Sequence, residues 1–159
     1  MPDRSIQILI TLVDQAYDHR SWHGTNLKGS IKGLRACEVV WRPSPKRHNI
    51  WEIVVHAAYW KYAVRRRLTG EARGSFPLKG SNWFARSGHD QQGWIDDVRL
   101  LVNEHALLKR AISLLRPEAL GRRARGGTTT NLALITGIAA HDLYHAGQIQ
   151  LLKKLRGQR

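Results

Sequence analysis

Residues 49–60, NIWEIVVHAAYW, carry the clearest helix signal of the chain. Asn49 can cap a helix, and Glu52 three positions later completes a variant of the capping box, which marks a helix start. The residues that follow, through Trp60, are apolar on most sides of a helix. Because a helix that is apolar nearly all round is buried among other elements, we expect a helix over residues 50–68 in the middle of a bundle.

Three further regions carry apolar residues at helical spacing. They cover residues 5–18, residues 91–116 and a region that begins at one of the threonines 128–130 and ends near residue 155. Residues 25–34 continue the first region weakly, and the prolines of RPSP, residues 42–45, end it. The sequence shows no strand-like alternation of useful length and no internal repeat. It therefore predicts one all-α domain over residues 1–159, a four-helix bundle with long connections.

The longest connection, residues 70–93, is rich in Gly and Ser. Connections of this length are uncommon in compact domains and often form lids, binding loops or crossovers. This one carries three aromatic side chains, Phe76, Trp83 and Phe84. We therefore expect it to pack over part of the bundle.

Composition excludes several classes of protein. The 159 residues are 42% hydrophobic, which is ordinary for a globular domain, and no apolar stretch approaches the roughly 18 residues of a membrane span. Cys37 is the single cysteine, so neither an intramolecular disulfide nor a cysteine-based zinc ribbon can form. The short apolar run at residues 8–12 is too small for a secretory signal, and we expect a cytoplasmic protein.

The chain carries a net charge of +14, from 26 Lys and Arg against 12 Asp and Glu. Such an excess can bind phosphates non-specifically. The basic residues are, however, spread over three main runs, at residues 65–67, 122–125 and 153–156. Runs of this kind are usually solvated helix ends, although the arginines at 65–67 could also attract an anionic substrate. Nucleic-acid binding is therefore the less favoured alternative.

Two of the eight histidines, His141 and His145, form the strongest candidate site. Side chains four residues apart share one face of a helix, about 5–6 Å apart at their Cβ atoms, and two imidazoles so placed can bind one ion. Leu134, Ile138 and Leu152 fall on the same stripe, so the pair should point into the core. Two unsatisfied imidazoles would be costly there, and a metal ion or a dense hydrogen-bond network is required.

A third donor has to come from another helix, and His56 on the apolar second helix is the candidate. A lone histidine on such a helix is more often a satisfied core residue, but the inward pair needs a partner. Three neutral imidazoles leave coordination positions open for water or substrate, as in catalytic rather than structural sites. His105, on the apolar stripe of the third helix, is a reserve ligand. His23 flanks a turn that Trp22 should anchor against the bundle, where it can line a cavity.

The sequences around these histidines resemble the DinB/YfiT-like superfamily of metal-dependent enzymes. The resemblance rests on residues 49–60, which contain His56, and on HDLYHAGQI, residues 141–149. Residues 22–24, WHG, and residues 41–43, WRP, are also similar to one branch of that superfamily. The order of these motifs agrees over nearly the whole chain.

The resemblance implies an enzyme that acts on a small molecule. Characterised relatives use the metal to activate a low-molecular-weight thiol, such as bacillithiol, mycothiol or glutathione, for transfer or isomerisation. Others are hydrolases, and many have no assigned activity. The resemblance also implies a bundle that is often a homodimer, with a divalent ion on His56, His141 and His145. Three imidazoles suit several ions, and we expect zinc or nickel, with iron or manganese as alternatives.

Three further side chains are candidates for the pocket: His23, Tyr59 and Gln148. Tyr59 and Gln148 lie one helical turn from a predicted ligand. Asp142 could orient a neighbouring imidazole, although it points about 100° away from His141 on a helix. The alternatives to a thiol transferase or hydrolase are a basic module that binds nucleic acid or another acidic partner, and a catalytically silent bundle kept for dimerisation.

Overall fold

Four long helices form the frame of the molecule. The structure, a computed structural model, describes residues 3–124 and 126–158. In chain order its helices are α1 (Arg4–Tyr17), α2 (Leu27–Ile31), α3 (Ala36–Val39), α4 (Ile50–Thr69), α5 (Gln91–Ser113) and α6 (Asn131–Gly157), with a 3₁₀ turn at Pro117–Ala119. The described ranges contain no strand, so the prediction of an all-α bundle is confirmed. None of the described helices is long and apolar enough to cross a membrane.

The long helices are arranged as a ring of four. α4 packs against α5 and α6, and α1 packs against the same two helices from the opposite corner. α4 is therefore a corner helix, and the expectation that it lies in the middle of the bundle is wrong. Its outer side is covered by the connection to α5, since Phe76 packs on Tyr59 and Trp83 packs on His56. Because the connection covers this outer side, α4 carries apolar residues there as well as towards α5 and α6.

Capping groups set the boundaries of the helices that carry the histidines. The side-chain oxygen of Asn49 accepts from the backbone N–H of Glu52 at 2.8 Å, and the Glu52 carboxylate accepts from the N–H of Asn49 at 3.2 Å. The predicted capping box is thus confirmed. α4 ends before Gly70, whose φ of 77° lies in the left-handed region. Among the three candidate threonines, Thr130 caps α6.

The region after α1 is less regular than predicted. Residues 25–34 contain only the five-residue α2, which Asn26 caps. Gly33, with φ of 76°, then turns the chain towards α3, and a residue without Cβ adopts this conformation freely. Trp22 is 97% exposed, so the expectation that it anchors the preceding turn against the bundle is wrong.

Five polar side chains, four of them buried, form a network that joins all four long helices. Lys61 of α4 is fully buried and donates to Asp142 of α6, and its ammonium lies 3.3 Å from Nδ1 of His105 on α5. Because an ammonium only donates, the His105 proton is on Nε2, 3.1 Å from the Asp14 carboxylate of α1. Lys109 of α5 lies 2.8 Å from the same carboxylate. Burial raises the pKa of the Asp142 carboxyl, and burial together with Lys61 lowers the pKa of His105 to about 2.

Candidate metal centre

Three histidines converge where α4 faces α6. The Nε2 atom of His141 lies 3.1 Å from Nε2 of His56 and 3.1 Å from Nε2 of His145. One ring nitrogen of each histidine lies within 4.8 Å of the other two, and His56 and His145 are buried. The spacing of four residues puts His141 and His145 on the same face of α6. The structure therefore brings together the three residues predicted as ligands.

Hydrogen bonds to the outer nitrogens of His56 and His145 fix the tautomers of these two rings. Nδ1 of His56 lies 2.8 Å from the backbone carbonyl of Asn82, and Nδ1 of His145 lies 2.7 Å from Oε1 of Gln148. Since a carbonyl oxygen only accepts, each Nδ1 carries the proton and each Nε2 of the neutral ring is left as a lone pair. Nδ1 of His141 is buried and has no hydrogen-bond partner among the described residues.

The three converging Nε2 atoms have too few protons to form all their mutual hydrogen bonds. His141 can place one proton on Nε2 and direct it at one neighbour, so the other of its two 3.1 Å nitrogen–nitrogen contacts has no proton to form a hydrogen bond. A further proton is disfavoured, because burial lowers the pKa of His56 to about 4 and that of His141 to about 3, and also lowers the pKa of His145. A cation that accepts three lone pairs removes the conflict. The spacing suits one, since two nitrogens at about 2.0–2.1 Å from a tetrahedral ion lie roughly 3.4 Å apart.

The connection between α4 and α5 closes one side of the site. Trp83 stacks on the ring of His56, with centroids 3.8 Å apart and planes 11° from parallel. Asn82 has a left-handed backbone, with φ of 63°, which asparagine tolerates better than most residues. Its Oδ1 accepts from the indole N–H of Trp60 at 2.9 Å. Sequence reasoning predicted that this connection packs over the bundle but missed Asn82, because a backbone carbonyl leaves no trace in a side-chain pattern.

The three predicted pocket residues lie in different places. Gln148 holds His145 and lines the adjoining cavity. Tyr59 lies outside that cavity, and its ring packs against Phe76 and Phe84 at centroid distances of 5.3 and 5.7 Å. His23 is exposed in a turn and does not belong to the histidine cluster. Of the three, the structure places Gln148 alone at the site.

Asp142 does not orient an imidazole, and that expectation is wrong. Its carboxylate accepts from Lys61 in the buried network, because its position on α6 turns it away from His141. His105, the reserve ligand, belongs to the same network and is likewise separate from the histidine cluster. The sequence contained one usable signal for this arrangement, since a lysine at position 61 inside an apolar helix requires a buried partner.

A second group of potential ligands consists of Asp14, Asp18 and His105, which also lie within 4.8 Å of one another. This group already has compensating cations. Lys109 lies 2.8 Å from Asp14, and Lys28 lies 3.5 Å from Asp18. Because these ammonium groups neutralise the carboxylates, we assign no ion to this group.

The arginine run at the end of α4 is only partly solvated. Arg65 is buried and pairs with Glu104 at 3.2 Å and with Glu71 at 2.6 Å, so its expected role as a solvated or substrate-attracting residue is wrong. Arg66 and Arg67 are half-buried. In the second basic run, Arg122 and Arg123 are exposed, and residue 125 lies outside the described residues.

A cavity of about 370 Å³ adjoins the histidines, and His145 and Trp83 form part of its wall. This volume falls within the range of small-molecule sites, about 300–1,000 Å³. A larger groove of about 770 Å³ lies beside α2 and the start of α5, and no histidine lines it. Cavity volume alone therefore does not identify the candidate site, since the smaller cavity is the one that reaches the candidate ligands.

Three histidines from two helices of a four-helix bundle place this protein in the class of helical bundles with a candidate metal site. The family model of the DinB superfamily matches residues 21–149, and the chain belongs to this superfamily, as the sequence motifs predicted. Members of the superfamily often bind metal. No curated protein and no solved structure matches the chain.

Proposed function

We propose that the protein is a metal-dependent enzyme that binds a divalent ion through Nε2 of His56, His141 and His145. The observation that carries this proposal is the convergence of three Nε2 atoms when two of the rings are protonated on the opposite nitrogen. Neutral imidazoles are the ligands that zinc and nickel accept readily, with iron or manganese as the alternatives. Membership of a superfamily that often binds metal supports the same conclusion.

Three protein ligands leave coordination positions open, as in catalytic sites. These three residues would hold the ion, and the chemistry it would supply is that of a Lewis acid, which lowers the pKa of a thiol or of water. The chain's own residues prepare the site. Asn82 and Gln148 hold the proton on Nδ1 of two rings, and Trp83 covers the face of His56 against water.

The reaction that we propose is attack by a low-molecular-weight thiol or by water on a small electrophilic substrate. The enzyme would thus be a thiol transferase or a hydrolase. The cavity beside His145 can admit a small molecule but not a macromolecule, since its volume is about 370 Å³. We further propose a homodimer, in keeping with the resemblance to the superfamily, and a cytoplasmic location, as expected from the sequence.

The first test is the metal content of the purified protein by elemental analysis. We expect close to one divalent ion per chain in the wild type, and its loss in His56→Ala, His141→Ala and His145→Ala. His89→Ala is the matched control, because His89 is exposed in the connection before α5. If the wild type takes up no ion and a chelator leaves its melting temperature unchanged, the proposed function is wrong.

The second test separates the two reactions. Metal-loaded protein is incubated with bacillithiol, mycothiol or glutathione and an electrophilic acceptor, and in parallel with ester and amide substrates without thiol. Turnover that requires both a thiol and the three histidines identifies a transferase, whereas thiol-independent turnover identifies a hydrolase. The absence of any turnover in a protein that binds metal would contradict the catalytic part of the proposal.

A further inference from the structure

The cavity beside His145 has one free cation and no anion among its described lining residues. Arg47 lines it, and no carboxylate of the described residues pairs with this guanidinium. The neighbouring His48 is engaged, since its Nδ1 lies 3.1 Å from Glu52 and its ring stacks on Trp83 at 3.5 Å. Glu52 is in turn neutralised by Arg42 at 3.0 Å. The Arg47 guanidinium at the rim of the cavity is therefore available to bind a small anion.

The opposite wall of the cavity is apolar and partly open. Tyr144, Leu151 and Leu155 line it and are 64%, 57% and 38% exposed. Their spacings of seven and four residues put them on one stripe of α6. Leu152 and Ile53 extend this apolar surface inward. A contiguous exposed apolar stripe that borders a concave site marks a binding surface.

We propose that this cavity binds a small amphiphilic carboxylate, with its anionic group at Arg47 and its apolar chain along Leu151, Leu152 and Leu155. The cavity has room for roughly a dozen non-hydrogen atoms at about 30 Å³ each, which corresponds to a medium-length chain. This inference rests on the proposed function, because it names the substrate class of the metal centre that His145 shares with the cavity.

Charge favours such a ligand over a second copy of the chain. Each chain carries a net charge of +14, so a second copy seated on this cavity would bring further cations to the rim at Arg47, and the proposed homodimer would therefore form through another face. An anionic amphiphile satisfies both the free guanidinium and the apolar stripe at once. Because His145 and Gln148 line the same cavity as these leucines, a ligand bound there would lie beside the candidate metal centre.

The test is calorimetric titration of the metal-free protein with hexanoate, octanoate and decanoate below their micelle concentrations, and with 1-octanol as the uncharged control. Burial of each methylene tightens binding about fourfold, so each homologue should bind roughly fifteenfold more tightly than the one two carbons shorter. Arg47→Gln should weaken octanoate binding about fivefold by removing an ion pair at an exposed guanidinium. Arg116→Gln removes the same charge from an exposed position elsewhere and should leave binding within about twofold.

The apolar wall is tested with Leu151→Gln, which should reduce the gain per methylene. Leu114→Gln, at an exposed leucine outside the cavity, is the matched control. The inference is overturned if no homologue binds, if affinity is independent of chain length, or if Arg47→Gln and Arg116→Gln weaken binding equally. It is also overturned if light scattering shows that Leu151→Gln separates a dimer into monomers while octanoate fails to bind, since a second copy would then cover the stripe.

The two proposals fail in different ways. Cobalt titration of Arg47→Gln should give the wild-type affinity, because Arg47 does not contact the histidines. If the carboxylates bind but no ion does, the assignment of the cavity stands and the metal-dependent function is wrong. If the ion binds through the three histidines and no carboxylate does, the metal centre stands and the substrate class is wrong.

Discussion

Gln148 provides the sharpest test of the candidate metal centre, because it contacts a predicted ligand and not the ion. Its Oε1 lies 2.7 Å from Nδ1 of His145 and holds the proton on that nitrogen. Gln148→Leu keeps the approximate size and helix propensity of the side chain but leaves the N–H of a buried histidine without an acceptor. The imidazole is then free to change tautomer or rotate, and its Nε2 lone pair is no longer directed at the ion.

Removal of an outer hydrogen bond of this kind lowers metal affinity by about 10–100-fold, or about 1.4–2.7 kcal/mol. We expect Gln148→Leu to weaken Co²⁺ binding by that factor. Gln148→Glu should retain or increase the affinity, because a carboxylate accepts the same N–H more strongly and makes the ring a better donor. The affinities are measured by titration of metal-free protein with Co²⁺ at pH 7, followed by visible absorption in competition with a chelator.

Gln150→Leu is the matched control, since it makes the same substitution two residues away and removes only a 3.3 Å hydrogen bond to Thr25. Its Co²⁺ affinity should equal that of the wild type. The reasoning about the His145 tautomer is refuted if Gln148→Leu binds Co²⁺ as tightly as Gln150→Leu does, while His145→Ala does not bind it.

Three further predictions concern the connection over the site, the buried network and pH. Asn82→Val should lower Co²⁺ affinity because a β-branched residue strains the left-handed backbone that presents the carbonyl to His56, whereas Asn82→Gly should keep most of it; equal affinities would contradict this. Lys61→Met should destabilise the fold by about 3–5 kcal/mol in urea unfolding by leaving a buried charge unpaired, and the added change Asp142→Leu should recover most of the loss. The free energy of unfolding of metal-free protein should fall from pH 7 to pH 5, because the folded-state pKa of His105, about 2, lies below the usual value of 6.5. The contribution of His105 to stability is therefore full above pH 6.5 and is lost as the pH falls. His105→Gln should make this slope shallower by about 1.4 kcal/mol per pH unit near pH 5, and the exposed His89→Gln is its control; a slope unchanged in His105→Gln would contradict the assignment.

The parts of the fold that local chemistry controls were predictable from the sequence. The capping box of Asn49 and Glu52 fixed the start of α4, and the four-residue spacing of His141 and His145 placed both on one face. Both signals act within one or two helical turns, so they depend little on the rest of the chain. The prediction that His56 lies opposite that pair depended on the resemblance to the superfamily, because the periodicity of one helix does not show which other helix it packs against.

Contacts between distant residues were not predictable in this way. Arg65 reads as the start of a solvated basic run, yet it is buried because Glu104 on α5 and Glu71 in the following connection both reach it. Asn82 reads as an ordinary loop residue, yet its carbonyl fixes the tautomer of His56. In each case the partner is a group that only the folded chain brings close.

The buried network also limits how the helices can slide past one another. Sliding α6 by one turn along its axis would keep its direction of facing but carry Asp142 about 5.4 Å away from Lys61, which would leave two opposite charges unpaired in the interior. His105 and Asp14 restrict α5 and α1 in the same manner. Apolar side chains alone would tolerate several neighbouring alignments, whereas the ion pair of Lys61 and Asp142 requires this one. The alignment of α4 with α6 that it selects is also the one that brings His56 level with His141 and His145, so a polar cluster that touches none of the three rings determines whether they meet.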